Sequence, residues 1–383
     1  MAMHARPIMD DEDVAIYREF VGRFLDDHAP PETLERWRAA GMVDRGFWLK
    51  AGEAGLLCPS APEELGGAGG DFRHELVVIE EIGRRGLEGF GAPVHNAIVA
   101  PYIIHLANEA QRARWVPGMV SGETVLAVGM TEPGAGSDLK AIRTTARRDG
   151  DHYVVSGQKT FISNGQTADL IVVACKTHGA DGRDGISLLA VETADAPGFE
   201  RGRNLHKMGR EAQDTSELFF DDVRVPAANL LGAEGEGFRA MMGFLPQERL
   251  VIAAMGQAMM ERAIELTLEH VRARDMFGKK LFDFQNTQFK LAEARTSATV
   301  GRAFIDQCLA LHLAGALDPV TAAMAKLWVT ETECKVIDEC VQLFGGYGYM
   351  DEYPISRLFR DSRIDRVHGG ASEVMKLIIA RSL

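Results

Sequence analysis

The chain has 383 residues, 46% of them hydrophobic and 25% charged, with a formal net charge of -13. That length can bury a large core and divides into two or three structural units. The acidic balance excludes a broad basic surface for nucleic acid, while still allowing a local basic patch for a phosphorylated ligand. Five scattered cysteines, Cys58, Cys175, Cys308, Cys334 and Cys340, form no Cys-x-x-Cys pair and read as reduced thiols, which points to the cytoplasm. The opening "MAMHARPIMDDEDVAIYREF" lacks the apolar core of a signal peptide, and its acids are wrong for a mitochondrial transit peptide. No run is long and apolar enough to span a bilayer.

From about Val14 to Met119, apolar residues recur every three and four positions in "DVAIYREFVGRFLDD", "GFWLKAGEAGLL", "HELVVIEEIGRRG" and "HNAIVAPYIIHLA". This periodicity predicts an all-helical unit, residues 1–123. Between residues 124 and 232 the runs shorten and become β-rich, as in "HYVVSGQKTFISNG", "ADLIVVACK", "GISLLAVET" and "SELFFDDVRVP". An antiparallel barrel or sandwich is expected there. From 233 to 383 long helical patterns return, ending in "GGASEVMKLIIARSL", and fit a four-helix bundle. The class is therefore α+β.

Candidate chemistry lies in the loops and in one helix. "VGMTEPGAGSD" has small residues and a hydroxyl where a chain leaves an apolar run, so its backbone N–H groups could approach a phosphate or a flat ring, although a plain turn has the same composition. It is not a Rossmann fingerprint, because no Gly-x-Gly-x-x-Gly joins a strand to a helix. "GQKTFISNG" reads as a strand ending in a turn. "RARDMFGKKLFDFQ" mixes basic and aromatic residues, suiting a pyrophosphate and an adenine or simply a solvated loop. Histidines show no metal spacing, and no nucleophile elbow is present. In "FLPQERLVIAAM", Glu248 follows Pro246 at the head of an apolar run, where an acid commonly serves the first turn of a helix.

Taken in order, "MTEPGAGSD", "GQKTFISNG", "RARDMFG" followed by Gln285, "QLFGGYGYM" and "RDSRIDRVHGGASE" resemble the acyl-CoA dehydrogenase family over almost the whole chain. The resemblance implies an N-terminal helical domain, a middle β domain and a C-terminal four-helix domain, assembled as a homotetramer with one FAD per subunit. It places Met130, Thr131, Phe161 and Ser163 against the isoalloxazine, and Gly136 and Ser137 near the pyrophosphate. Arg274, Phe277, Gln285, Gln342, Gly345 and Gly346 of a neighbouring subunit would hold the rest of the dinucleotide, and Glu373 is a further cofactor contact. Ser137, Arg249, His368 and Gly369 are implied at the substrate. An electron-transfer flavoprotein is the implied electron acceptor.

The family's reaction removes the α-proton of an acyl-CoA thioester with a carboxylate while the β-hydrogen leaves to the flavin. Water-excluded burial can raise such a Glu from about 4.3 to roughly 6 or 7. In most members the base is the Glu of a Glu-Gly-Thr stretch before the last helix, but here Gly369, Gly370 and Ala371 stand there. Isovaleryl-CoA and long-chain acyl-CoA dehydrogenases instead carry the base on the helix that matches "PQERL", which assigns it to Glu248. The resemblance implies that Gly369 keeps the N–H that binds the thioester oxygen in the family, while the lost side chain leaves room for a carboxylate from the opposite wall. "GRNLHKMGREAQDTSELFFDDVRVPAANLLG", "LPQERL" and "VHGGASEVMK" lean toward the long-chain subgroup, with His368 and Ala371 departing from its usual Tyr and Thr. Alternatives are an acyl-CoA oxidase, a dehydrogenase for branched, terpenoid or carrier-bound acyl groups, and a silent flavin-binding subunit of a hetero-oligomer.

Overall fold

A computed structural model describes residues 6–178 and 184–383, so the first five residues of the opening stretch lie outside the described residues. Helices α1 (Glu12–His28), α2 (Pro31–Ala40), α3 (Arg45–Glu53), α4 (Phe72–Arg85), α5 (Ala100–Leu106) and α6 (Glu109–Ser121) form the first third. A short π-type turn, Val94–Val99, leads into α5.

Strands β1 (Leu126–Gly129), β2 (Thr145–Asp149), β3 (His152–Ser163), β4 (Leu170–His178), β5 (Asp184–Glu192), β6 (Phe199–Asn204), β7 (Thr215–Pro226) and β8 (Leu230–Leu231) build one sheet, ordered β6-β7-β3-β2-β4-β5-β8 with β1 on β4. The expectation of a purely antiparallel unit is corrected, because β4 pairs in parallel with both β1 and β2. The β2–β3 hairpin intervenes between β1 and β4, giving the chain the crossover that a parallel pair needs.

Beyond the sheet come α7 (Gly237–Ala273), the small ribbon of β9 (Asp275–Met276) and β10 (Lys279–Lys280), α8 (Gln285–Leu313), α9 (Pro319–Phe344), α10 (Pro354–Ser362) and α11 (Ser372–Ala380). Four of these helices correspond to the expected bundle, and α10 is additional. Helix α7 does not begin at Pro246 as "PQERL" suggested; it begins nine residues earlier, with Pro246 inside it. An interior proline costs about 3 kcal/mol. Burial of Leu250, Val251, Ala253, Ala254, Met255, Ala258 and Met259 just beyond it outweighs that cost.

Two cores meet along α7. Its first turns, through Met241, pack with α5, α6 and the sheet around Tyr102, Trp115, Leu126 and Leu188. From Leu250 onward it packs with α4 and α9 around Leu76, Ile79 and Ile337. Glu248 falls at the passage from one core to the other. Arg302 of α8, nine-tenths buried, bonds Glu80 of α4 and both oxygens of Glu261 of α7, fixing the helical regions together.

Candidate active site

Because Glu248 lies in the interior of α7 rather than in its first turn, it has no helix-starting role. Glu248 is 7% exposed, and its Oε1 accepts a 2.9 Å hydrogen bond from Tyr102 Oη of α5. Burial pushes the carboxyl up to about 7, with the Tyr102 hydrogen bond and the Arg249 charge opposing part of the rise. A carboxylate of that basicity suits proton abstraction near neutral pH.

Across from it, Gly369 and Gly370 form a turn in the left-handed region, at φ +62° and +101°. A Cβ on Gly369 would collide with Cδ1 of Ile252, one helical turn beyond Glu248 on the same face of α7. The glycine turn thus packs directly on the face that carries the carboxylate. Lys326 of α9, fully buried, donates from Nζ to the Gly370 carbonyl at 2.8 Å. Burial lowers this ammonium to about 8, against the charge of Asp365. On the other side, His368 Nε2 pairs with Asp365 Oδ1 at 2.6 Å, and Arg210 Nη2 reaches the same oxygen at 2.6 Å. Burial alone would raise Asp365, but Arg210 overrides it and holds the carboxylate below its ordinary range. Arg249 is 4% exposed and donates to the Pro319 carbonyl at the start of α9 at 3.4 Å, so it is buried between α7 and α9 rather than on an open wall.

The residues assigned to a flavin fall into two groups. In the first, Phe161 sits where β3 bulges against β7 between Lys159 and Ile162, at φ +59°. The bulge turns its ring outward, 67% exposed, while Lys159 and Ile162 stay buried. Thr131 O accepts from Thr160 N at 2.9 Å, and Met130 O accepts from Lys159 Nζ at 3.2 Å, so the loop after β1 is fixed beside Phe161. The Glu132 carboxylate stiffens that loop by accepting from Lys159 Nζ, Arg143 N and Thr144 N. Ser163 is half-buried at the end of β3, and Gly136 and Ser137 are exposed on the same loop as Met130. An exposed aromatic ring on a rigid strand, beside a loop of small residues, fits the apolar face of a flavin.

In the second group, Arg274, Gln342, Gly345 and Gly346 line one cleft of about 670 Å³ together with His270 and Phe284. Arg274 lies 5.5 Å above the Tyr347 ring, and a Cβ on either glycine would meet open space. A guanidinium, an amide and exposed backbone suit a pyrophosphate and a sugar. Gln285 and Phe277 are exposed beside this cleft without lining it, and Glu373 is exposed in the first turn of α11. Tyr102, Lys326, Lys159 and Asp365 were not singled out from the sequence. Tyr102 lies in an apolar helical pattern that gave no hint of its polar partner.

A fixed carboxyl near neutrality, a glycine turn packed on the same helix and two flavin-compatible surfaces together fit a flavin-dependent oxidoreductase. Residues 11–123, 127–223 and 235–383 match the N-terminal, middle and C-terminal domains of acyl-CoA dehydrogenase, in that order. The chain belongs to the acyl-CoA dehydrogenase family and is an FAD-dependent oxidoreductase of acyl-CoA. It is 44% identical over 370 residues to the mitochondrial long-chain specific acyl-CoA dehydrogenase of Sus scrofa, covering 96% of this chain and 86% of that one. The acyl-CoA dehydrogenase crystal structure from Geobacillus kaustophilus is 48% identical with a TM-score of 0.93, covering 97% and 98% of the two chains. A glutaryl-CoA dehydrogenase from Mycobacterium smegmatis in complex with FADH2 is 28% identical with a TM-score of 0.90, covering 98% and 95%. Among the described residues, no helix is long and apolar enough to cross a membrane.

Proposed function

We propose that this enzyme oxidises a medium- to long-chain saturated acyl-CoA to the trans-2-enoyl-CoA, with Glu248 as the base. The observation that carries the assignment is the buried Glu248 carboxyl, raised to about 7, on the α7 face that packs against Gly369. Glu248 takes the α-proton of the thioester. The Gly369 N–H binds the thioester oxygen as negative charge develops there, a contact of the kind worth a few kcal/mol when preorganised. Lys326 and the Arg210–Asp365–His368 chain hold the turn that presents this N–H. Phe161 and the loop from Met130 to Ser137 would hold FAD, which when bound would supply the two-electron oxidation.

The separation of the flavin residues into two surfaces supports a dinucleotide shared between subunits, with the cleft at Arg274 and Gln342 serving a neighbour's FAD. A homotetramer built from such dimers and an electron-transfer flavoprotein as acceptor complete the proposal. The long-chain assignment draws on the likeness to the Sus scrofa enzyme. Steady-state kcat/KM over short, medium, long and branched saturated acyl-CoAs tests it. A maximum at medium or long chains is expected, and a maximum at a short or branched acyl group would overturn it.

A further inference from the structure

We infer that Tyr102 is a positioning residue for the base, setting both the direction and the basicity of Glu248; this rests on the reading of Glu248 as the proton acceptor. Tyr102 is fully buried, and its hydroxyl bonds only Glu248 Oε1 among the described residues. Its ring cannot swing away easily, because it packs against Phe244 with centroids 4.5 Å apart, and Phe244 lies one turn before Glu248 on α7. A second hydrogen bond clamps the same two segments: Gln247 Nε2 donates at 2.7 Å to the Ala97 carbonyl inside the π-type turn that leads into α5. Wide turns of that kind re-aim the helix that follows, and here the following helix carries Tyr102. Adjacent residues of α7, Gln247 and Glu248, are thus both tied to one short stretch of the N-terminal region.

The consequence for the base is geometric. With Oε1 committed to Tyr102, Oε2 has no donor among the described residues and is the oxygen free to receive a proton. A hydrogen bond to one oxygen also favours the charged carboxylate, so Tyr102 limits how far burial raises Glu248. The phenol is pushed well above its usual range by burial and by the Glu248 charge, and therefore remains a donor wherever the enzyme works.

The test compares the pH profile of kcat/KM for acyl-CoA oxidation in the FAD-loaded wild type, Tyr102→Phe and Glu248→Gln, with flavin content measured for each. Tyr102→Phe removes only the hydroxyl. Its acid limb is expected to move up by about 0.5–1 pH unit, with activity near pH 6.5 falling roughly three- to tenfold and the gap narrowing in base. Should Tyr102→Phe fail to load FAD, 3-fluorotyrosine placed at 102 keeps the shape and strengthens the donor, and the limb is expected to move down. A limb that stays within about 0.2 unit of wild type, or a loss of rate uniform across pH, would overturn the inference and leave Tyr102 a packing residue. Retained activity in Glu248→Gln would instead defeat the reading of the base itself, so the two failures are distinguishable.

Discussion

Gly369 packs so closely on Ile252 that a side chain added at 369 would collide with the Ile252 δ-methyl, and its backbone is held at φ +62°. A side chain at 369 is therefore excluded here by the same helix that carries Glu248. Gly369→Ala is expected to cost about 1–2 kcal/mol from backbone strain alone, with further loss as Ile252 is displaced. Gly369→Glu introduced into Glu248→Gln is expected not to restore acyl-CoA oxidation. Recovery to within tenfold of wild type would show that the turn can accept a carboxylate.

Glu248 should also lower the stability of the enzyme at neutral pH. Its carboxyl stands at about 7 in the folded chain against an ordinary value of 4.5, so folding favours the protonated form. That contribution is fully present below the ordinary value and is lost as pH rises through the folded one. Glu248→Gln never ionises, so relative to it the wild type should lose on the order of 3 kcal/mol between about pH 4.5 and pH 8. Glu75, also raised to about 7 by burial, is present in both proteins and cancels. Thermal melts of the two at pH 5 and 8 should show the variant gaining at the higher pH; parallel curves would contradict the shift.

Lys326 tethers the glycine turn through the Gly370 carbonyl. Lys326→Met keeps the bulk of the stem and deletes the donor, freeing the turn that presents the Gly369 N–H. A displacement of even an ångström there is expected to lower kcat roughly 10- to 100-fold with a smaller change in flavin content. Stopped-flow reduction of the bound flavin measures this directly.

Arg274 lines the cleft assigned to the dinucleotide beyond the flavin ring. Arg274→Ala should weaken FAD retention, read as a lower flavin-to-protein absorbance ratio after gel filtration, by about tenfold in affinity for one charge-assisted contact. Mixing this variant with one altered at Phe161 should partly restore retention if the cleft serves a neighbour's FAD, because one of the two hybrid sites is then intact.

Much of this architecture was legible in the sequence because it depends on local signals. Helical periodicity located α4 and α8, and the β-branched runs located β3, β4 and β7. Gly369 and Glu248 could be assigned through family resemblance, since their motifs are short and contiguous. Pro246 misled because a proline usually marks a helix start, yet tertiary burial on both sides carried α7 through it. Tyr102 and Glu248 lie 146 positions apart, and Arg210 and Asp365 lie 155 apart. No periodicity in one sequence encodes such pairings, so the groups that support the site became visible only in the fold. The parallel pairing of β4 was hidden for the same reason: strand patterns predict which residues face inward, not which strand lies alongside.

Anaerobic bleaching of the bound flavin by a saturated acyl-CoA, compared in wild type and Glu248→Gln, tests whether Glu248 removes the α-proton. The wild-type rate should rise with pH through about 7 as the carboxyl ionises, and the variant, with FAD still bound, should be slower by about 100-fold or more at every pH. Equal bleaching by both proteins would contradict the account and place the base on another residue.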